Sequence, residues 1–136
     1  MKKVLIAYDG SESAKRALQM AVDLLHRGEV EVSILAVAEG LPLYGYAGTL
    51  PSAEQENERQ AQLTEAAKAL AEHGMASTLV KRSGDPATAI LDEAQKEGID
   101  VIVMGTRGLS TADRWLLGSV STKVLHHASC SVLVAR

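Results

Sequence analysis

Phenylalanine is absent from this chain, and Trp115, Tyr8, Tyr44 and Tyr46 are its whole aromatic complement. So few rings leave little on which to stack unpaired nucleobases. No run of five or six basic residues occurs and the net charge is −3, which removes the electrostatic footprint of a nucleic-acid face. Cys130 is the single cysteine. It has no mate for an internal disulfide, which fits a reducing compartment. Nothing approaches the ~20 apolar residues that cross a bilayer. Met1-Lys2-Lys3 resembles a signal start, but the apolar run Val4–Tyr8 ends at Asp9, short of the roughly 7–15 residues a secretory signal needs. These absences predict a cytoplasmic protein with no membrane and no nucleic-acid partner.

Familiar catalytic signatures are missing too. There is no Gly-x-x-x-x-Gly-Lys-Ser/Thr run to bring a lysine onto phosphates, and no Gly-x-Ser-x-Gly elbow. The Ser-Gly-Gly-x-Asp-Ser run of the pyrophosphatase-loop ligases is replaced after the first strand by Asp9-Gly-Ser-Glu-Ser13. No base or nucleophile stands out, so binding is better supported than catalysis. Slow Mg²⁺-assisted ATP hydrolysis or self-phosphorylation near Asp9 stays open, as does a module working through its surface alone.

What is present alternates. Val4–Tyr8 reads as a buried strand, followed by a helix with Ala14, Leu18, Ala21, Val22 and Leu25 on one face and Gly28 at its close. Val30–Ala38 is a second strand whose apolar residues become continuous, as for a strand covered on both faces. Glu39–Pro51 is glycine-rich, shows no period and reads as a surface loop. Ser52 and Gln55 form a capping box opening a helix through about His73, with Gly74 ending it. Met75–Arg82 is a third strand. Asp85-Pro86 supplies an N-cap and first-turn proline for a helix through Glu97, with Ala87, Ile90, Leu91 and Ala94 inward. Ile99–Met104, Ser119–His127 and Ser131–Ala135 complete five strands and four helices. Such alternation predicts a single α/β domain over residues 1–136: a doubly wound parallel sheet with helices on both faces.

In that architecture ligands bind beyond the carboxyl ends of the strands. Asp9-Gly10-Ser11 follows the first strand, and Gly105-Thr-Arg-Gly108 follows the fourth, with nine residues between Gly108 and Gly118-Ser119-Val120-Ser121. Glycines let backbone N–H groups converge on an anion without a Cβ in the way. A helix start adds unpaired donors and partial positive charge. If the first and fourth strands are neighbours, both loops face one crevice suited to phosphate.

The residues Tyr8-Asp-Gly-Ser11, Gly105-x-x-Gly108-(nine residues)-Gly118-Ser119 and Ser129-Cys-Ser-Val-Leu-Val134 are similar to those of the universal stress protein family, over essentially the whole chain. The resemblance implies a Rossmann-like fold with strand order 3-2-1-4-5, cytoplasmic location, and a homodimer joined through the terminal strand Ser131–Ala135. The filled glycine motif marks the family's ATP-binding subgroup, implying ATP, ADP or AMP, with Mg²⁺ near Asp9. Gly105, Gly108, Gly118 and Ser119 would hold ribose and phosphates, and Val120 and Ser121 would extend the cradle. Ala7 and Asp9 would lie at the adenine and ribose side, Val37 would offer main-chain groups to the adenine edge, and Met104 would line the pocket. One departure is Ser131, where the family often has proline. The resemblance implies a nucleotide-dependent regulatory role in the stress response.

Plainer roles compete for several residues. The three glycines can be independent turns, Arg107 can pair with phosphate or face water, and Asp9 can cap the first helix. Ser11 and Ser13 read as helix-start residues. His26, His73 and the pair His126-His127 sit at helix C-termini, where positive charge is favoured. Adjacent histidines diverge by about 100° on a helix, which disfavours a shared metal. Cys130 reads as packed. Trp115, Leu116 and Leu117 either cover the pocket or plug the space beneath the glycine loop.

Overall fold

Val4, Leu5 and Ile6 are all fully buried, although successive strand residues point to opposite faces. The sheet is therefore covered on both sides. A computed structural model describes residues 1–39, 41–42, 49–50, 52–106 and 117–136. Its elements are β1 Lys2–Ala7, α1 Glu12–Leu25, β2 Val30–Ala38, β3 Leu41–Pro42, β4 Thr49–Leu50, α2 Ala53–Ala71, β5 Ser77–Ser83, α3 Pro86–Glu97, β6 Val101–Gly105, α4 Ser119–His127 and β7 Ser131–Ala135. The main sheet runs β5-β2-β1-β6-β7 and is parallel throughout. Counting its own strands alone, this is the expected order 3-2-1-4-5.

Alternation along the strands divides the interior. Val4, Ile6, Val32, Ile34, Ala36 and Val103 pack with Ala17, Leu18, Ala21, Leu63, Ala66 and Leu70 of α1 and α2. Leu5, Leu35, Ile102 and Met104 pack on the other face with Ala87, Ile90 and Ala94 of α3 and Val124 of α4. Leu91 is partly buried against this second layer, as are Cys130, Val132 and Val134. Right-handed crossovers between parallel strands require this two-sided arrangement.

Helix limits follow local chemistry. Ser11 accepts from the Ala14 N–H at 3.2 Å. Ser52 and Gln55 exchange the two bonds of a capping box. Asp85 accepts from the Thr88 N–H at 3.0 Å, directly before Pro86. α3 ends at Gly98 in the left-handed conformation, and Ile99 N–H then returns to the Ala94 carbonyl at 2.9 Å. That bond draws Ile99 into the helix terminus, so β6 begins at Val101 rather than at 99.

Other boundaries shift for related reasons. β1 starts at Lys2 because Lys2 and Lys3 pair with Val30 and Glu31. The span 39–51, expected to be loop, contains a small antiparallel ribbon pairing Leu41 with Leu50 and Pro42 with Thr49. Two-residue strands are too short to leave a periodic signature. Among the described residues no helix is long and apolar enough to cross a membrane.

Candidate functional site

β1 and β6 are adjacent, with Val4–Ile6 opposite Val101–Val103, so their following loops share one crevice. A cavity of about 450 Å³ opens there, at the carboxyl ends of the strands. It lies where the chain order reverses, the usual ligand position in open α/β sheets, and its size suits a small molecule.

Nine anticipated residues line this cavity: Ala7, Asp9, Val37, Met104, Gly105, Gly118, Ser119, Val120 and Ser121. Arg107 and Gly108 lie outside the described residues, as do Trp115 and Leu116. Leu117 is 43% exposed.

α4 begins differently from the other helices. Gly118 occupies its N-cap position without a side-chain hydrogen bond, whereas Ser11, Ser52 and Asp85 cap α1, α2 and α3. The first intrahelical bond runs from Thr122 N–H to the Gly118 carbonyl at 3.0 Å. The N–H groups of Ser119, Val120 and Ser121 thus have no partner within the helix, and they stand beside the cavity. Gly118 itself is extended, with φ −67° and ψ 164°, and its N–H donates to the Thr106 carbonyl.

Two expected ligand groups carry internal duties. The Ser121 hydroxyl, 1% exposed, donates to the Thr106 carbonyl at 2.7 Å. Its single proton is spent there, so Ser121 offers a ligand its backbone N–H. Gly105 faces the first turn of α1: a Cβ there would lie 2.6 Å from the Ser13 carbonyl carbon and 2.7 Å from the Ala14 nitrogen. Its missing side chain admits a helix as well as opening a pocket.

Asp9 does not cap α1, whose N-cap is Ser11. Its Oδ1 accepts from the Ser11 N–H at 2.9 Å, an Asx turn before α1, while the residue also lines the cavity. Gly10 takes φ +78° to make that turn, a conformation glycine adopts without strain. Beside it the Tyr8 phenol is pushed well above its ordinary range, first by burial and then by the Glu65 carboxylate.

The opposite wall is α2, which no sequence motif marks. Gln55, Glu58, Arg59 and Gln62 line the cavity at helical i, i+3, i+4 and i+7 spacing. Three of them tie α2 to successive strand ends. Gln55 Nε2 donates to the Glu39 carbonyl at 2.6 Å, Arg59 Nη1 to the Arg82 carbonyl at 2.6 Å, and Gln62 Nε2 to the Asp9 carbonyl at 2.9 Å. A polar stripe bordering buried Leu63, Ala66 and Leu70 was the available signal, but a solvated helix face produces the same pattern.

Floor and sides are apolar, from Leu35, Val37, Ala38, Pro86, Ile90 and Met104, while Asp9, Glu39 and Glu58 add carboxylates. Among the described residues no three His, Cys, Asp or Glu side chains form a metal cluster. The remaining histidines stay at helix ends: His26 Nδ1 lies 2.7 Å from the Val22 carbonyl, and His126 and His127 occupy the last turn of α4.

An apolar cleft with one amide-lined end, at the switch point of a 3-2-1-4-5 sheet, defines a doubly wound α/β protein of the Rossmann-like order. Comparison with known proteins narrows the class. The model of the universal stress protein family matches residues 1–136, and the chain belongs to that family. It is 36% identical to the universal stress protein YxiE of Bacillus subtilis, over 98% of each chain. Its fold is similar to a universal stress protein in complex with cAMP, with TM-score 0.76 and 25% identity over 99% of this chain and 97% of that one. It is similarly close to the universal stress protein from Archaeoglobus fulgidus in complex with dAMP, with TM-score 0.73 and 25% identity over 100% and 98% of the two chains.

Proposed function

We propose that this protein binds an adenine nucleotide in the cavity between β1, β2, β6, α2 and the start of α4, and that occupancy sets a state read by partner proteins in the stress response. The observation that carries this reading is the uncapped start of α4, where Ser119, Val120 and Ser121 turn backbone N–H groups toward a cleft otherwise lined by apolar side chains. Phosphate oxygens satisfy those donors and the helix dipole together. Gly108 and Arg107 extend the phosphate cradle, and Asp9 meets a ribose hydroxyl or Mg²⁺ carried by the phosphates. Val37 presents main-chain groups to the adenine edge, with Ala7 and Met104 beside the base. The bound nucleotides named for the two related structures support the ligand class.

The magnitudes are adequate. Micromolar affinity corresponds to about −8 kcal/mol, and hydrogen bonds to a charged acceptor contribute roughly 1.5–3 kcal/mol each. Three such bonds and a buried base reach that value after the costs of association. The same reading places the protein in the cytoplasm as a homodimer paired through β7. Calorimetric titration with ATP, ADP and AMP, beside mass analysis of ligand released from freshly purified protein, tests it. Saturable adenine-nucleotide binding is expected; no heat and no released nucleotide overturn it.

A further inference from the structure

Gly118 takes nearly the backbone conformation of the serines that cap α1 and α2. Its φ of −67° and ψ of 164° stand beside −67° and 162° for Ser11 and −71° and 164° for Ser52. The backbone at this position therefore does not call for glycine. In α1, α2 and α3 the N-cap side chain accepts the N–H of the third helical residue, which is Ala14, Gln55 or Thr88. The third residue of α4 is Ser121, and no capping side chain takes its N–H. An N-cap bond satisfies that donor and also fixes where the helix starts. The start of α4 is held by other means.

Ser121 supplies them. It is buried, and its hydroxyl donates to the Thr106 carbonyl at 2.7 Å. The Gly118 carbonyl lies farther off, at 3.1 Å. Thr106 accepts a second donor at the same oxygen, the Gly118 N–H at 2.6 Å. Both lone pairs of one carbonyl thus hold the first turn of α4 against the end of β6. Thr106 is itself fixed, because it is buried and its N–H donates to the Ala135 carbonyl of β7 at 2.9 Å. In the other three helices a side-chain oxygen at the N-cap locks the first turn; in α4 that duty falls to a hydroxyl three residues later, which leaves the Ser121 amide uncapped.

We propose that Ser121 is a positioning residue of the phosphate cradle, its hydroxyl pinning the first turn of α4 to Thr106 so that the Ser119, Val120 and Ser121 N–H groups stay open toward the cavity. This rests on the nucleotide reading above and deepens it. The hydroxyl makes no ligand contact and acts through the amides that it orients. Donors already in place lose little freedom when a ligand arrives. The pin therefore contributes to affinity for phosphate and not to affinity for the base.

Ser121→Ala removes the pin and leaves every backbone N–H in place. Titrations with AMP, ribose 5-phosphate and adenosine compare it with the unsubstituted protein, and the unfolding midpoint is the control for the fold. Amide hydrogen exchange of both proteins without nucleotide is the second readout. The variant should bind AMP and ribose 5-phosphate about fivefold more weakly, the effect of one ordinary hydrogen bond, and adenosine as before. Without nucleotide its Gly118 N–H, which shares the Thr106 acceptor, should exchange about fivefold faster as the turn opens locally. Unchanged AMP affinity overturns the proposal, and so does an equal loss toward adenosine. A loss toward AMP with unchanged Gly118 exchange also overturns it, because the hydroxyl then touches the phosphate directly. AMP binding that responds to Ser119→Pro but not to Ser121→Ala overturns this inference alone, whereas no AMP binding by the unsubstituted protein overturns the nucleotide reading itself.

Discussion

Gly105 and Ser13 touch where no side chain fits between them. The carboxyl end of β6 meets the first turn of α1 so closely that an added Cβ would overlap Ser13 backbone atoms. The glycine that ends the strand therefore sets how near α1 stands to the site.

Gly105→Ala should destabilise the fold by about 1–3 kcal/mol, the usual cost of forcing an extra methyl into a packed contact. Denaturant unfolding measures it. Stability equal to that of the unsubstituted protein would show that α1 moves away freely, and the close-approach account would fail.

The backbone donors of α4 can be removed singly. Ser119 is the first residue of that helix and Gly118 before it has φ −67° and ψ 164°, a conformation compatible with a following proline. Ser119→Pro should keep the helix, because proline is favoured at the first helical position, and should delete one N–H from the proposed phosphate contact. We expect about a tenfold loss of AMP affinity, against little change in Ser119→Ala. Equal affinities for the two variants would move the phosphate away from α4.

Asp85 carries a pH dependence. Hydrogen bonds from the Thr88 side chain and backbone, then from Lys123, hold its carboxyl below the ordinary value. A folded-state pKa below the unfolded one contributes stability above about pH 4, the unfolded range, and loses it as pH falls through the folded value. Asp85→Ala should cost about 1 kcal/mol at neutral pH as a lost N-cap, with the difference closing in acid. Because Asp85 and Lys123 are about half exposed, screening keeps the ion pair's share small. A difference that persists unchanged in acid would exclude the carboxylate as its source.

The proposed dimer has its own probe. Ser131 N–H donates to the Asp100 carbonyl on the β6 side, and alternation along a strand turns the Val132 and Val134 N–H groups outward. Proline is tolerated on an edge strand where its missing N–H faces solvent. Val132→Pro should dissociate the dimer in sedimentation while leaving AMP binding in place. An intact dimer would remove β7 from the interface.

Much of this molecule can be read before any coordinates are known. Ser52 with Gln55 and Asp85 with Pro86 announce their helices because capping is local chemistry, confined to one turn. Val4–Ile6 and Ile102–Val103 announce buried strands because burial on both faces leaves no polar alternation. Gly118-Ser119 points to the cradle for the same reason: a helix start is a local object. Gly105 was also visible, but its contact with Ser13, some ninety residues earlier, was not.

The α2 wall lay beyond sequence reading. Gln55, Arg59 and Gln62 become parts of a site only through carbonyls at residues 39, 82 and 9, which belong to three different strand ends. Sequence alone determined the alternating elements, the two-sided core and the amide-rich loops, because periodicity, capping and glycine placement act over a few residues. Only the tertiary structure decided that β1 and β6 adjoin, that α2 closes the cleft and that the Ser121 hydroxyl turns to Thr106. Those outcomes depend on which distant segments pack together, and no short-range pattern encodes that choice.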